Sequence, residues 1–99
     1  MKITEYLLIP TNGDKEIIQE DIDSLTTNSK TELVEHYNKN VEMGFVGARR
    51  QALRIFAIGV IFKRVFGESP VKLEDKVILT LTGKIKLEGE KFIYLTTSN

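Results

Sequence analysis

Residues 55–62, Ile-Phe-Ala-Ile-Gly-Val-Ile-Phe, constrain this chain more than any other stretch of it. Eight apolar positions, with Arg54 before them and Lys63-Arg64 after, are too few to span a bilayer, which takes about 20. They continue a helical pattern that begins near Gly47, carries Arg49, Arg50, Gln51 and Arg54 in its first two turns, and stops at Gly67 and Ser69-Pro70. A helix that is apolar all the way round must be surrounded by protein. A helix over about 47–66 is therefore the expected centre of the fold, and the rest of the chain must cover it.

One further helix is well marked. Ser29 followed three residues later by Glu32 makes a capping box. Leu33, Val34, Tyr37 and Val41 then recur at helical spacing until Gly44, predicting a helix over about 30–43. The N-terminal part is more ambiguous. Ile3 to Ile9 reads as a strand ended by Pro10. Lys15 to Gln19 either returns as a second strand or opens a short helix with Ile18, Ile22 and Leu25 on one side, and the Asn12-Gly13 turn signal favours the hairpin.

The last third reads as three β runs, residues 77–81, 84–88 and 91–95. A two-residue turn at Gly89-Glu90 pairs Ile85 with Tyr94 and Leu87 with Phe92, and sets Glu88 opposite Lys91. A bulged turn over residues 81–83 would pair Leu79 with Ile85 and Val77 with Leu87, placing all six apolar residues on one face. The expected fold is thus α+β in a single domain over 1–99: an N-terminal strand or hairpin, two helices, and a three-stranded antiparallel meander packed on the long helix.

Composition removes several kinds of chemistry. The chain has no cysteine and one histidine, which excludes disulfide scaffolds, thiolate zinc sites and multi-histidine metal centres. Fourteen basic residues balance fourteen acidic ones, so there is no overall pull toward nucleic acid or an anionic membrane. Met1-Lys2-Ile3-Thr4-Glu5 places an acid where a signal peptide needs apolar residues, which makes a soluble, cytoplasmic protein the expectation. No phosphate loop, dinucleotide fingerprint or nucleophile elbow is present, so no cofactor, no metal and no catalytic residue is expected. His36 reads as a surface imidazole beside Glu32. Asp14, Glu16, Glu20, Asp21 and Asp23 read as a solvated acidic edge.

One constellation rises above this background. Gly44 and Gly47 frame the start of the long helix, and Arg49, Arg50 and Arg54 follow. Positive side chains at a helix N-terminus oppose the macrodipole, so something should compensate them. An anion held by Gly47 and the three arginines would do so, and ion pairs to Glu35 or Glu42 on the preceding helix are the preferred alternative. Gly44-Phe45-Val46-Gly47 is similar to the Gly-x-x-Gly loop of KH RNA-binding modules over these four residues. That loop is basic, this one is apolar in its middle, and the family is not carried over.

Leu53, Ala57, Val60 and Ile61 form a second apolar strip on the long helix, rimmed by arginine. A short meander covers only one side of a helix, so a second copy of the chain is the expected cover of this strip. The reading that results is a small, non-catalytic binding or interaction protein, self-associating as a homodimer and open to an unidentified protein partner. The alternative is a winged-helix-like nucleic-acid module using the arginines and the C-terminal hairpin. A third class, an enzyme subunit completed by a partner, has no residue here to support it.

Overall fold

The computed structural model describes residues 3–9 and 11–95. Their order is β1 (Glu5–Leu7), α1 (Asp14–Thr26), α2 (Lys30–Met43), α3 (Arg49–Phe66), β2 (Val71–Glu74), β3 (Ile78–Leu81), β4 (Ile85–Glu88) and β5 (Lys91–Tyr94). The class is α+β, with the C-terminal antiparallel strands packed on the long helix as expected. The place where Pro10 was expected to end β1 lies outside the described residues.

The two predicted helices form for the predicted reasons. Ser29 Oγ accepts the Glu32 amide at 3.2 Å and the Glu32 carboxylate accepts the Ser29 amide at 2.8 Å, closing the capping box. Gly67, at a φ of 82°, ends α3 in the left-handed conformation that glycine tolerates best. Gly59 has a different use. A Cβ there would lie 3.2 Å from Val71 Cβ and 3.3 Å from Ser69 Oγ, so its absence lets β2 approach the helix closely.

The hairpin expected at Asn12-Gly13 is not formed. Residues 14–26 are α1, and the apolar spacing of Ile18, Ile22 and Leu25 prevails over the turn signal. Ile22 and Leu25 are buried, and Asn12-Gly13 serves as the approach to the helix instead. Asp14 ties this approach together by accepting the Thr11 amide at 2.7 Å.

The β4–β5 hairpin has the predicted register, with Ile85↔Tyr94, Leu87↔Phe92 and Glu88↔Lys91. The expected pairing of β3 with β4 is replaced. β3 sits between β1 and β2 in a separate sheet of order β1-β3-β2, where Leu79 faces Tyr6 on one side and Leu73 on the other. Side chains of α2 explain why. Asn38 bonds both backbone groups of Ile85, accepting from its amide at 2.9 Å and donating to its carbonyl at 2.7 Å. Tyr37 donates to the Gly83 carbonyl at 2.7 Å and accepts the Thr82 amide at 3.2 Å. These bonds occupy the backbone groups that a β3–β4 turn and ladder would use. β2 was not foreseen; it returns into β3 through Asp75-Lys76, both at positive φ (49° and 64°), the pattern of a type I′ turn.

The buried apolar residues form one cluster drawn from every layer. Phe62 stands at its aromatic centre, with ring centroids 5.9 Å from Tyr37, 5.1 Å from Phe66 and 5.6 Å from Phe92. Of the six residues expected on one face, Leu79, Ile85 and Phe92 are buried, but Tyr94 is 44% exposed. Burial pushes the Tyr37 hydroxyl above its ordinary ionisation range, and it remains a neutral hydrogen-bonding group. Tyr37→Phe leaves the Thr82 amide and the Gly83 carbonyl without this partner. It is expected to cost about 1–3 kcal/mol in urea denaturation, while the helical circular dichroism signal stays unchanged.

Candidate functional site

Arg49, Arg50 and Arg54 leave the first turns of α3 toward α1. Asp21, only 3% exposed, accepts from Arg50 through both carboxylate oxygens and from Arg54 Nη1 at 3.2 Å. Asp14 accepts from Arg49, which also donates to the Ile9 carbonyl. The expected partners were Glu35 and Glu42; the acids that meet the arginines are those of the segment read as a solvated edge. Glu42 is joined to Lys84 instead. The reason is the helical form of residues 14–26. Asp14 and Asp21 are seven residues apart and therefore on one helical face, directed at arginines on the neighbouring helix.

The electrostatics of this cluster close on themselves. The positive end of the α3 dipole and its arginines would attract an anion, and the chain supplies two carboxylates of its own. The hydrogen bond from Arg50 holds the Asp21 carboxyl below the usual carboxylate range, against the opposing effect of burial. The hydrogen bond from Arg49, then that from the Thr11 amide, does the same for Asp14. Gly47, at a φ of 85°, lies in the exposed loop before α3, apart from these pairs. In that loop the Val46 amide is taken by the Gln51 side chain at 2.9 Å.

The expected interface strip is accounted for within the chain. Leu53, Ala57 and Ile61 are buried in the core, and Val60 is half-buried. α1 packs against α3 on this side, so Leu53, Ala57 and Ile61 are buried without a second copy, and Val60 alone of the four is left half-buried. Light scattering is accordingly expected to give the mass of one chain, 11.3 kDa, at high micromolar concentration, and twice that mass, reduced to one by Val60→Asp, would show that α3 does need a second copy.

What α1 and the sheet leave open is a groove. One hollow of about 410 Å³ lies between α1, α3 and the β2–β3 turn, lined by Leu8, Ile18, Leu53, Phe56 and Leu73, with Lys15 and Lys76 at its mouth. A second of about 510 Å³ continues along α3 past Val60 and Leu79, between Lys63, Arg64 and Lys72. Phe56 and Leu73 line both, so the two are halves of one furrow. Leu53, Phe56 and Val60 fall at i, i+3 and i+7 on one face of α3, which is the part of the all-apolar helix that the fold does not fully enclose.

The basic residues around the furrow come from α1, α3, β2 and a turn, so no window of the sequence displays them together. The acids of α1 were more legible, since Asp14 and Asp21 share a helical face wherever residues 14–26 are read as a helix. His36 is half-buried on α2, near enough to Glu32 to favour its charged form slightly, after the larger effect of Ser29. Among the described residues no three His, Asp or Glu side chains gather to hold a metal ion, and no helix is long and apolar enough to cross a membrane. Compared with family models, curated proteins and solved structures, the chain matches none of them.

Proposed function

We propose that this chain is a small, non-catalytic binding module that engages a partner protein through the furrow along α3. The observation that carries the reading is a contrast in how the charges are placed. The arginine cluster is neutralised by Asp14 and Asp21, whereas the lysines and arginine beside the exposed apolar furrow have no acidic partner among the described residues. An apolar floor with a charged rim is the usual anatomy of a recognition surface. A cytoplasmic setting suits this reading, because the fold rests on an apolar core and ion pairs with no cysteine in the chain.

The nucleic-acid reading has less behind it. Arg49, Arg50 and Arg54 are directed at carboxylates, and Lys84 and Lys86 of the hairpin lie beside Glu42 and Glu88. A pull-down from the native host, split into nuclease-treated and untreated arms, separates the two. Retention of the same protein in both arms, lost with Lys63→Glu/Lys72→Glu, supports the proposal. Material that disappears with nuclease overturns it.

A further inference from the structure

We infer that the furrow receives an acidic amphipathic segment of a partner protein, one with apolar side chains at helical spacing and Asp or Glu between them; this rests on the furrow being the binding surface. The chain as a whole is neutral, so a local excess of one sign must come from how the charges are arranged. Of the fourteen Lys and Arg, Lys2 is outside the described residues and six (Lys30, Arg49, Arg50, Arg54, Lys84 and Lys86) hold ion pairs, which leaves seven without one among the described residues. Five of those seven, Lys15, Lys63, Arg64, Lys72 and Lys76, line the furrow, and all five are exposed. The acids lining it are Asp14, already held by Arg49, and Glu68. Lys76 lies at a φ of 64°, a conformation that glycine adopts with less strain, and it lines the furrow.

The distribution of these cations selects the occupant. They stand along the length of the furrow and on different elements, which suits several negative charges spaced along a chain. A fatty carboxylate has one charge and needs one cation at the end of a closed pocket. Single-stranded nucleic acid needs successive aromatic platforms, and among the described residues Phe56 is the one aromatic side chain in the lining. A membrane surface cannot follow a concave apolar floor. A segment with apolar residues at i, i+3, i+4 and i+7 can seat them on Ile18, Phe56, Val60 and Leu73 and leave its acids beside the lysines.

The test titrates the full ¹⁵N-labelled chain with four probes. These are a roughly 16-residue peptide with leucine at that helical spacing and glutamate elsewhere, the same peptide with lysine for glutamate, dodecanoate, and a single-stranded oligonucleotide of about 12 nucleotides. The expected result is saturable amide shifts around Phe56, Val60 and Leu73 with the glutamate peptide alone. Its affinity should fall at least about tenfold between roughly 50 and 300 mM salt, and by a similar factor in Lys63→Glu/Lys72→Glu. Both substituted residues are exposed, so the variant keeps the fold, which its own spectrum verifies. Shifts in the furrow with another probe while the glutamate peptide is silent overturn the occupant and leave the furrow as the binding surface. Silence of all four, or shifts that map elsewhere, overturns both.

Discussion

Phe62→Ala is expected to cost about 3–5 kcal/mol and to leave the chain largely unfolded at ambient temperature. The ring is fully buried and touches an aromatic residue from α2, one from its own helix and one from β5. Truncation therefore removes contacts to the helices and to the hairpin together, and the surrounding elements cannot all collapse into the space. Chemical denaturation compared with Val46→Ala, a truncation at a side chain 63% exposed, checks the size of the effect. A cost at Phe62 below about 1 kcal/mol would mean that the β4–β5 hairpin is not packed on α3.

The joint removal of Arg50 and Arg54 is the second large effect. It leaves Asp21 buried with no cation, and Arg50→Ala/Arg54→Ala is expected to cost about 2–4 kcal/mol, less than a deeply buried pair because the guanidinium groups reach water. The pH dependence follows from the Asp21 carboxyl, which is held below its unfolded value of 3.8 in the native chain. A carboxylate with a lowered folded value contributes stability that is fully present above the unfolded value and is lost as pH falls through the folded one. In the double variant burial alone acts on Asp21 and raises its carboxyl, so the advantage of the native chain should be full at neutral pH, begin to fade as the variant's Asp21 takes up a proton, and go on shrinking as pH falls through the lowered native value. Melting temperatures measured from pH 7 to pH 2.5 check this, and a gap that does not change with pH would contradict it.

These effects also show where the residues were readable and where they were not. The Ser29–Glu32 box, the Gly67 stop and the Glu88–Lys91 pairing are local, and each follows from a few neighbouring residues. For residues 15–25 two local signals compete: the Asn12-Gly13 dipeptide favours a hairpin, and the spacing of Ile18, Ile22 and Leu25 allows the helix that forms. With a hairpin in place of α1, Asp14 and Asp21 do not share a helical face, the arginines turn to α2 for partners, and Leu53, Ala57 and Ile61 need a second copy to cover them.

The separation of β3 from β4 has a different origin. It rests on Tyr37 and Asn38 reaching backbone groups more than forty positions away in the chain, and side-chain bonds of that range have no local pattern. β2 was hidden for a simpler reason. It is four residues long, and it turns through Asp75-Lys76 rather than a glycine. The furrow inherits both difficulties, because its banks are α1 and β2.

α1 held as a helix against α3 closes the arginine cluster, helps bury Leu53, Ala57 and Ile61, and forms one bank of the furrow. Backbone chemical shifts of the full chain in solution test it most directly. Continuous helical shifts over residues 14–26, with slowly exchanging amides at Ile22 and Leu25, are the predicted result. Extended shifts over residues 15–19 would instead mean an N-terminal hairpin, with no helix to meet the arginines or to bank the furrow.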